Sequence, residues 1–285
     1  MAYTRTQLQT AVYADLHLKT TDTNRLPAAT AQDALLLGEQ DFARRTRCFR
    51  RTNTMSAVDE QAVYTLPEDF VKLIDLTYGS DTSPLYEKKE RLVKQEDPAY
   101  RITDSGTPTH WWLETKTQFR LYPPSNVDTA TTMALDGYFV PFSIGGGISG
   151  MTRSTTTLTV TMNQRHNLRA GDLVTASGSD VTAYNIAHTV ATVPSATTFT
   201  ATVADSGASP ATGGYLYHTG GYLPMLADSD ISYLEYAYQL APRYYAVWWL
   251  STNYLLGDEV AMASGQTALA KYEELVTKHE EDRWI

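Results

Sequence analysis

The sequence predicts an α+β protein that combines a helical bundle with a small antiparallel β region and carries an inserted all-β barrel or sandwich domain. Three observations lead to this prediction. Both ends of the chain carry apolar residues at helical spacing, the middle carries short alternating segments, and a threonine-rich stretch lies between glycine clusters. Hydrophobic residues make up 42% of the 285 residues and charged residues 19%, which argues against general disorder.

The composition changes at two places. A glycine triplet at residues 145–147 opens a region that the glycine pair at 220–221 closes. Between these clusters lie only three acidic and three basic residues, so the whole formal charge of −9 belongs to the rest of the chain. Glycine tolerates backbone dihedrals that other residues avoid, so such clusters suit hinges. We therefore predict an outer domain formed by residues 1–144 and 222–285, with an inserted all-β domain at 145–221.

The outer domain is predicted to begin with two helices. Apolar residues at helical spacing indicate the first over residues 5–18. In the second, Thr30 is the expected N-cap, with Asp33 three residues later in a role like that of a capping box. The apolar face of this second helix is predicted to continue to Phe49.

The last part of the chain is predicted to form a helical hairpin. Its first helix, residues 231–256, is rich in aromatic residues and is expected to kink at Pro242, which cannot donate a backbone hydrogen bond. Gly257 fits a helix C-cap and Asp258 an N-cap, so a tight antiparallel turn should follow. The final helix is expected over residues 259–282.

Short extended segments fill the middle of the outer domain and the insert. Period-two alternation of apolar side chains is typical of strands with one buried face. In the outer domain the predicted strands are residues 62–66, 73–78, 85–87, 111–115, 119–122 and 132–140, with a short helix at 91–99. In the insert the predicted strands are residues 155–161, 173–175, 187–193 and 198–203.

The sequence lacks the motifs that metal, nucleophile and phosphate chemistry need. None of the six histidines has a partner at metal-ligand spacing, and GxSxG and GxxxxGK[ST] are missing. GGGISG at residues 145–150 matches GxGxxG in form but precedes a threonine-rich strand rather than a helix, so we interpret it as a hinge. We predict no enzymatic activity, no metal and no cofactor.

Targeting signals are also missing from the sequence. The first residues form no apolar export signal, and the uncharged run at 244–257 is shorter than the roughly 20 residues of a membrane-spanning helix. A single cysteine, Cys48, excludes an intramolecular disulfide, and we expect a chain completed in the reducing cytoplasm, with no membrane partner.

A group of arginines stands out in this acidic chain. Arg44, Arg47 and Arg51 have the i, i+3 and i+7 spacing of one helical face. Three interpretations are open: a solvated face paired with acids of the same chain, a basic face that meets an acidic face on another copy, and a DNA-facing role. The last is the weakest, because a chain with a formal charge of −9 repels DNA.

Without the insert, the order of short motifs resembles that of a known family. YTLPEDF (64–70) is followed by LIDL (73–76), PLY (84–86), GTP (106–108), WW (111–112), FRLYPP (119–124) and LDGY (135–138). This series and the two C-terminal helices resemble the head-to-tail adaptor (connector) proteins of tailed bacteriophages. The insert resembles small β modules of phage virion proteins, through HNL (166–168) and AGDLV (170–174).

The resemblance implies a structural role in the virion. Adaptor rings dock beneath the portal, extend the DNA channel and present a platform to tail proteins, which can be a tube, a nozzle or a fibre. They are cyclic homo-oligomers, usually of about twelve copies, that assemble in the host cytoplasm and lie at the head–tail interface. A ring of about twelve such chains carries roughly a hundred negative charges, so DNA passes through its channel without specific binding.

The candidate contact residues lie in the arginine group, in the aromatic helix and at the end of the chain. The subunit-interface candidates are Arg44, Arg47, Arg51, Trp248 and Trp249. The portal-docking candidates, by resemblance to adaptors whose C-terminal segment docks into the portal, are Lys278, Arg283, Trp284 and Ile285. With 19 tyrosines and 5 tryptophans, the composition suits large amphipathic interfaces.

Two other classes of function remain open. One is a different virion structural or receptor-binding module in which the insert binds, although residues 146–222 hold four tyrosines and no tryptophan for such a surface. The other is a cell-wall hydrolase, which needs two carboxylates in a cleft, one with a raised pKa. The sequence shows no such pair.

Overall fold

The computed structural model describes residues 3–67, 69–80, 83–101, 104–126, 131–166, 168–204, 210–219, 221, 225 and 232–282. Within these residues it contains five α-helices and thirteen strands in three sheets. The helices are α1 (Arg5–Asp15), α2 (Ala28–Thr46), α3 (Glu90–Glu96), α4 (Ala241–Asn253) and α5 (Glu259–Asp282). The strands are β1 (Arg50–Ser56), β2 (Val63–Thr65), β3 (Phe70–Tyr78), β4 (Tyr86–Glu87), β5 (His110–Thr115), β6 (Gln118–Tyr122), β7 (Thr132–Phe139), β8 (Ile148–Ser154), β9 (Thr157–Met162), β10 (Leu173–Ser177), β11 (Ala187–Ser195), β12 (Thr198–Thr202) and β13 (Tyr215–His218).

The predicted fold class is wrong. The chain is not a helical bundle with a small β region, because thirteen strands in three sheets take up as much of the described chain as the five α-helices. The sequence pattern understates the β content because several strands depend on partners far along the chain. Both β1 and β3 pair antiparallel with β7, and such pairing is set by tertiary packing rather than by local propensity.

The described chain forms two compact units. Unit 1 is Met1–Phe49 with Tyr222–Ile285, and unit 2 is Arg50–Gly221. Unit 2 therefore contains the strands before residue 144 as well as the strands of the predicted insert. The division into 1–144, 145–221 and 222–285 stays a prediction.

In unit 1, α4 packs against both α2 and α5. Gly38 of α2 lies so close to α4 that an added Cβ would stand 2.9 Å from the Cα of Pro242. Gly265 of α5 lies in the same way against Ser251, near the other end of α4. The missing side chains allow this close approach of the helices. A core of buried aliphatic residues from α1, α2, α4 and α5 fills the unit.

Two predicted details of these helices are wrong. Pro27 occupies the N-cap of α2 without a side-chain hydrogen bond, and Thr30 lies inside the first turn instead of capping it. Pro242 does not kink a long helix but stands at the start of α4. At that position its missing N–H removes no helical hydrogen bond, and its fixed φ suits the first turn.

The predicted turn between the last two helices is confirmed, with Asp258 at the N-cap of α5, but the C-cap of α4 is Tyr254 and not Gly257. Gly257 has a φ of +86°, a conformation that favours glycine. The Asp258 carboxylate accepts a hydrogen bond from the backbone N–H of Ala261 at 3.0 Å and so caps α5. This turn returns the chain, so α5 runs antiparallel to α4.

Two sheets of unit 2 share one hydrophobic core. The three-stranded sheet has the order β1-β7-β3, and the four-stranded sheet has the order β2-β6-β5-β4, in which β4 runs parallel to β5. Leu76 and Leu135 come from the first sheet, and Trp111 and Phe119 come from the second. The predicted hairpin of β5 and β6 is confirmed.

The third sheet holds all the strands of the predicted insert, in the order β13-β10-β11-β12-β9-β8. Its two edge strands approach each other. The backbone N–H of Ile148 donates to the carbonyl of Gly214 at 2.9 Å, and Met151 bridges Ala211. The sheet therefore curls around its own core, which includes Val160, Phe199 and other apolar side chains of the same strands.

Candidate interaction surfaces

The three arginines of the predicted helical face do not share one helix. α2 ends at Thr46, and Arg47 forms its C-cap in the left-handed conformation, with a φ of 54°. Arg51 lies in β1, where residues 50–56 pair with β7. The single helical face is therefore wrong, because strand pairing replaces the helix before Arg51 is reached.

Arg44 and Arg47 are exposed at the end of α2. Neither side chain forms an ion pair or hydrogen bond within the described part of the chain. Their neighbour Arg45 differs, since its guanidinium donates hydrogen bonds of 2.8 and 2.5 Å to Glu273 of α5. These bonds lower the pKa of the Glu273 carboxyl. Arg44 and Arg47 are thus cations available to a second molecule, and their place at a subunit boundary stays a prediction.

Arg51 is buried inside unit 2, with a side chain only 4% exposed. Its Nη2 lies 2.7 Å from Oδ2 of Asp69, and its Cζ lies 4.0 Å from the ring centroid of Phe139. Gly221 packs so closely that an added Cβ would stand 2.0 Å from Nη1. Arg51 therefore joins β1, β7 and the segment before β3 to the end of the insert. Its predicted place at a subunit boundary is untested.

His218 lies beside this buried pair. Burial and the positive charge of Arg51 lower the pKa of His218 to about 3, so its imidazole is neutral at pH 7. A cavity of about 40 Å³ lies against His218, Asn53, Arg169 and Asp172. Burial raises the pKa of the Asp172 carboxyl. The cavity has room for about one water molecule, so this polar cluster is part of the packing of unit 2.

Trp248 and Trp249 are half-buried on α4. The Trp248 ring meets Tyr245 edge-on, with 5.3 Å between the ring centroids. Trp249 packs against the core of unit 1. Unit 1 thus covers much of the aromatic surface that the sequence suggested would need a partner. The remaining exposed part of each ring could contact another subunit, which stays a prediction.

The C-terminal half of α5 is held against α2 by aromatic contacts. The Tyr272 hydroxyl donates to Asp41 at 2.6 Å, and burial together with this bond raises the pKa of Tyr272. The Phe42 ring contacts Tyr272 and His279, with centroid distances of 6.2 and 5.8 Å. Lys278 is exposed on this half of α5. The other predicted portal-docking residues, Arg283, Trp284 and Ile285, lie outside the described residues.

The sequence analysis missed an exposed apolar surface at the α4–α5 turn. Leu256 is 74% exposed and Val260 is 56% exposed, and Tyr254 and Met262 are exposed beside them. The available signal was the presence of large apolar residues on both sides of a tight turn, of which the core covers Leu255 but not Leu256. A patch of this kind marks an interaction surface.

Over the described ranges, no group of three or more His, Cys, Asp or Glu side chains could hold a metal ion. No helix within the same ranges is long and apolar enough to cross a membrane.

The features found are surfaces suited to contacts with other proteins. A model of the SU10 adaptor protein family matches residues 3–275, which is nearly the whole chain. The chain therefore belongs to the SU10 adaptor protein family. It is a phage structural adaptor protein, a virion component that contacts other phage structural proteins. No curated protein matches the chain.

Proposed function

We propose that this protein is the subunit of a head-to-tail adaptor ring, which lies between portal and tail and extends the DNA channel. The observation that carries the proposal is the match of the SU10 adaptor family over residues 3–275. In this role the protein is a cyclic homo-oligomer of about twelve copies. It binds the portal on one side and a tail protein on the other, and it has no catalytic activity.

The surfaces of unit 1 support this proposal. Arg44 and Arg47 at the end of α2 have no partner among the described residues, and the α4–α5 turn exposes Leu256 and Val260. Exposed apolar patches are typical of surfaces that contact other proteins. A ring subunit needs several such surfaces, because it contacts two neighbours and two further partners.

The charge of the chain agrees with a DNA channel. With a formal charge of −9 per chain, a ring repels the phosphate backbone and lets DNA slide. Within this proposal, Lys278 and the residues that follow α5 dock on the portal, where Trp284 supplies the apolar anchor.

The test mixes the purified chain with the portal ring of the same phage and measures the mass of the resulting complex by native mass spectrometry. We expect a complex with one copy of the chain per portal subunit. Replacing residues 283–285 by Ser-Gly-Ser keeps the length and should weaken portal binding by about tenfold or more, as loss of a buried tryptophan anchor does. A folded chain that forms no complex with the portal at any concentration contradicts the proposal.

A further inference from the structure

The two outer helices of unit 1 each carry an exposed row of residues with alternating spacings of four and three. The α5 row consists of Ala263, Thr267, Ala270, Glu274, Thr277 and Glu281, all exposed. The α2 row consists of Asp33, Leu37, Gln40 and Arg44, all exposed except the half-buried Gln40, and the exposed C-cap residue Arg47 follows it. Residues at this spacing form one ridge on a helix, and such ridges pack against a second helix.

The two rows are complementary in size and charge. The α5 row begins with small side chains and ends with Glu274 and Glu281, neither of which has an ion-pair partner among the described residues. The α2 row has Asp33 at its start, then Leu37, a large apolar side chain 40% exposed, and at its end two unpaired arginines. Small residues on one helix leave room for a large one on the other, while opposite charges at the same end fix the register.

Only a parallel alignment matches both features. In a parallel alignment in which Arg44 faces Glu274, Leu37 lies seven residues before Arg44 and faces Thr267. Thr267 belongs to the part of the α5 row that has small side chains. An antiparallel alignment through the same ion pair places Leu37 against Glu281, an apolar side chain against a carboxylate. Lys278 lies beside the α5 row. If α2 packed against that side of α5, Lys278 would meet the arginines at the end of α2, and the repulsion between like charges disfavours this contact.

The arrangement of helices within unit 1 provides this parallel direction. Phe42 of α2 contacts Tyr238, which lies just before α4, and the earlier residue Gly38 contacts Pro242 inside α4, so α2 runs antiparallel to α4. α5 also runs antiparallel to α4, since Ser251 meets Gly265 and Tyr245 meets Tyr272. α2 and α5 are therefore parallel, with α4 packed against both. Rotation about an axis along the helices brings the α2 of one copy beside the α5 of the next, still parallel.

We propose that the α2 row of one copy packs in parallel against the α5 row of the next copy, with Leu37 facing Thr267 and Arg44 facing Glu274. The contact joins two different surfaces, so it can repeat head-to-tail from copy to copy, as the contacts of a cyclic ring do. Each row therefore contacts a second copy of this chain. The inference rests on the proposed function, because the ring is what brings the copies together.

Disulfide trapping tests the register. In a Cys48→Ser background, the pair Leu37→Cys and Thr267→Cys should give, on oxidation of the assembled ring, a ladder of covalent oligomers in denaturing gels. The control pair is Leu37→Cys with Glu280→Cys, because Glu280 lies about 120° around the helix from Glu274. This control should give no ladder. The three residues replaced by cysteine, Leu37, Thr267 and Glu280, are exposed. Circular dichroism checks the fold of each variant.

Exchanging the charges of the two rows tests whether ion pairs between α2 and α5 stabilise the contact. The pair Arg44→Glu and Arg47→Glu, and the pair Glu274→Arg and Glu281→Arg, should each weaken self-association by about tenfold, whereas all four substitutions together should restore it. Arg91→Glu with Lys94→Glu, on exposed positions of α3, makes the same change of charge and should have little effect.

The outcomes separate this inference from the proposed function. If rings form but show neither the ladder nor the charge effect, the α2–α5 contact is wrong and the adaptor role stands. If the unmodified chain forms no oligomer with or without portal, the proposed function fails and the contact fails with it.

Discussion

At the scale of single residues, the most constrained group is the buried pair of Arg51 and Asp69. Both side chains are 4% exposed, and their charged atoms are 2.7 Å apart. Removing one partner from such a pair leaves a charge in a medium that solvates it poorly. Arg50, the adjacent residue, pairs with Asp136 at the surface, where the Arg50 side chain is 57% exposed. The two neighbouring arginines therefore offer a matched comparison.

We predict that Asp69→Ala lowers the free energy of unfolding by about 3–5 kcal/mol, because it leaves the Arg51 guanidinium buried without its carboxylate. Arg50→Ala should change the stability little, since exposed ion pairs contribute little. Urea unfolding followed by circular dichroism measures both variants.

A double variant completes this comparison. Arg51→Met combined with Asp69→Leu removes both charges and should recover most of the loss, because apolar side chains of similar size can replace a buried ion pair. Equal effects of Asp69→Ala and Arg50→Ala would show that the buried pair does not stabilise unit 2.

At the scale of elements, the sequence predicted α5 and the turn before it well. Apolar periodicity and the Gly257–Asp258 pair are local signals, and they determine this hairpin. The sequence pattern did not predict β1. Two of the three buried residues of that strand, Arg51 and Asn53, are polar, and only Met55 is apolar. The period-two apolar pattern is therefore absent, and the strand is specified by its pairing with β7 and by the partner of Arg51.

The contact between α2 and α4 gives a prediction at this scale. Gly38→Ala should lower the free energy of unfolding by about 1–3 kcal/mol through overpacking, although alanine favours helix more than glycine does. The reason is that the added Cβ would lie 2.8 Å from the Pro242 carbonyl oxygen, and a backbone atom cannot turn away. Thermal unfolding measures the effect.

The same substitution at Gly150 provides the control for this prediction. There the nearest atom to an added Cβ is the Ala211 carbonyl oxygen at 3.9 Å, so Gly150→Ala should be tolerated. If Gly38→Ala is as stable as the unmodified chain, the close approach of α2 to α4 is not required.

At the scale of the whole molecule, the sequence predicted part of the charged surface that the fold leaves exposed. Arg44 and Arg47 are exposed as expected, because charged side chains without a partner stay in water. Arg51 was grouped with them only because the end of α2 was not foreseen. The α5 row could not be identified beforehand, since it depends on which side of α5 remains uncovered after packing. The family match identifies the chain as a phage adaptor, and that these surfaces are its contacts is our proposal.

The position of this chain in the virion tests the central claim most directly. A cryo-electron microscopy reconstruction of intact particles at the tail-bearing vertex should show the chain as a closed ring between portal and tail, around the DNA channel. In that ring, α2 of each copy should lie parallel to α5 of its neighbour. Finding the chain instead in a tail fibre or elsewhere on the capsid, with no copies between portal and tail, would contradict the account.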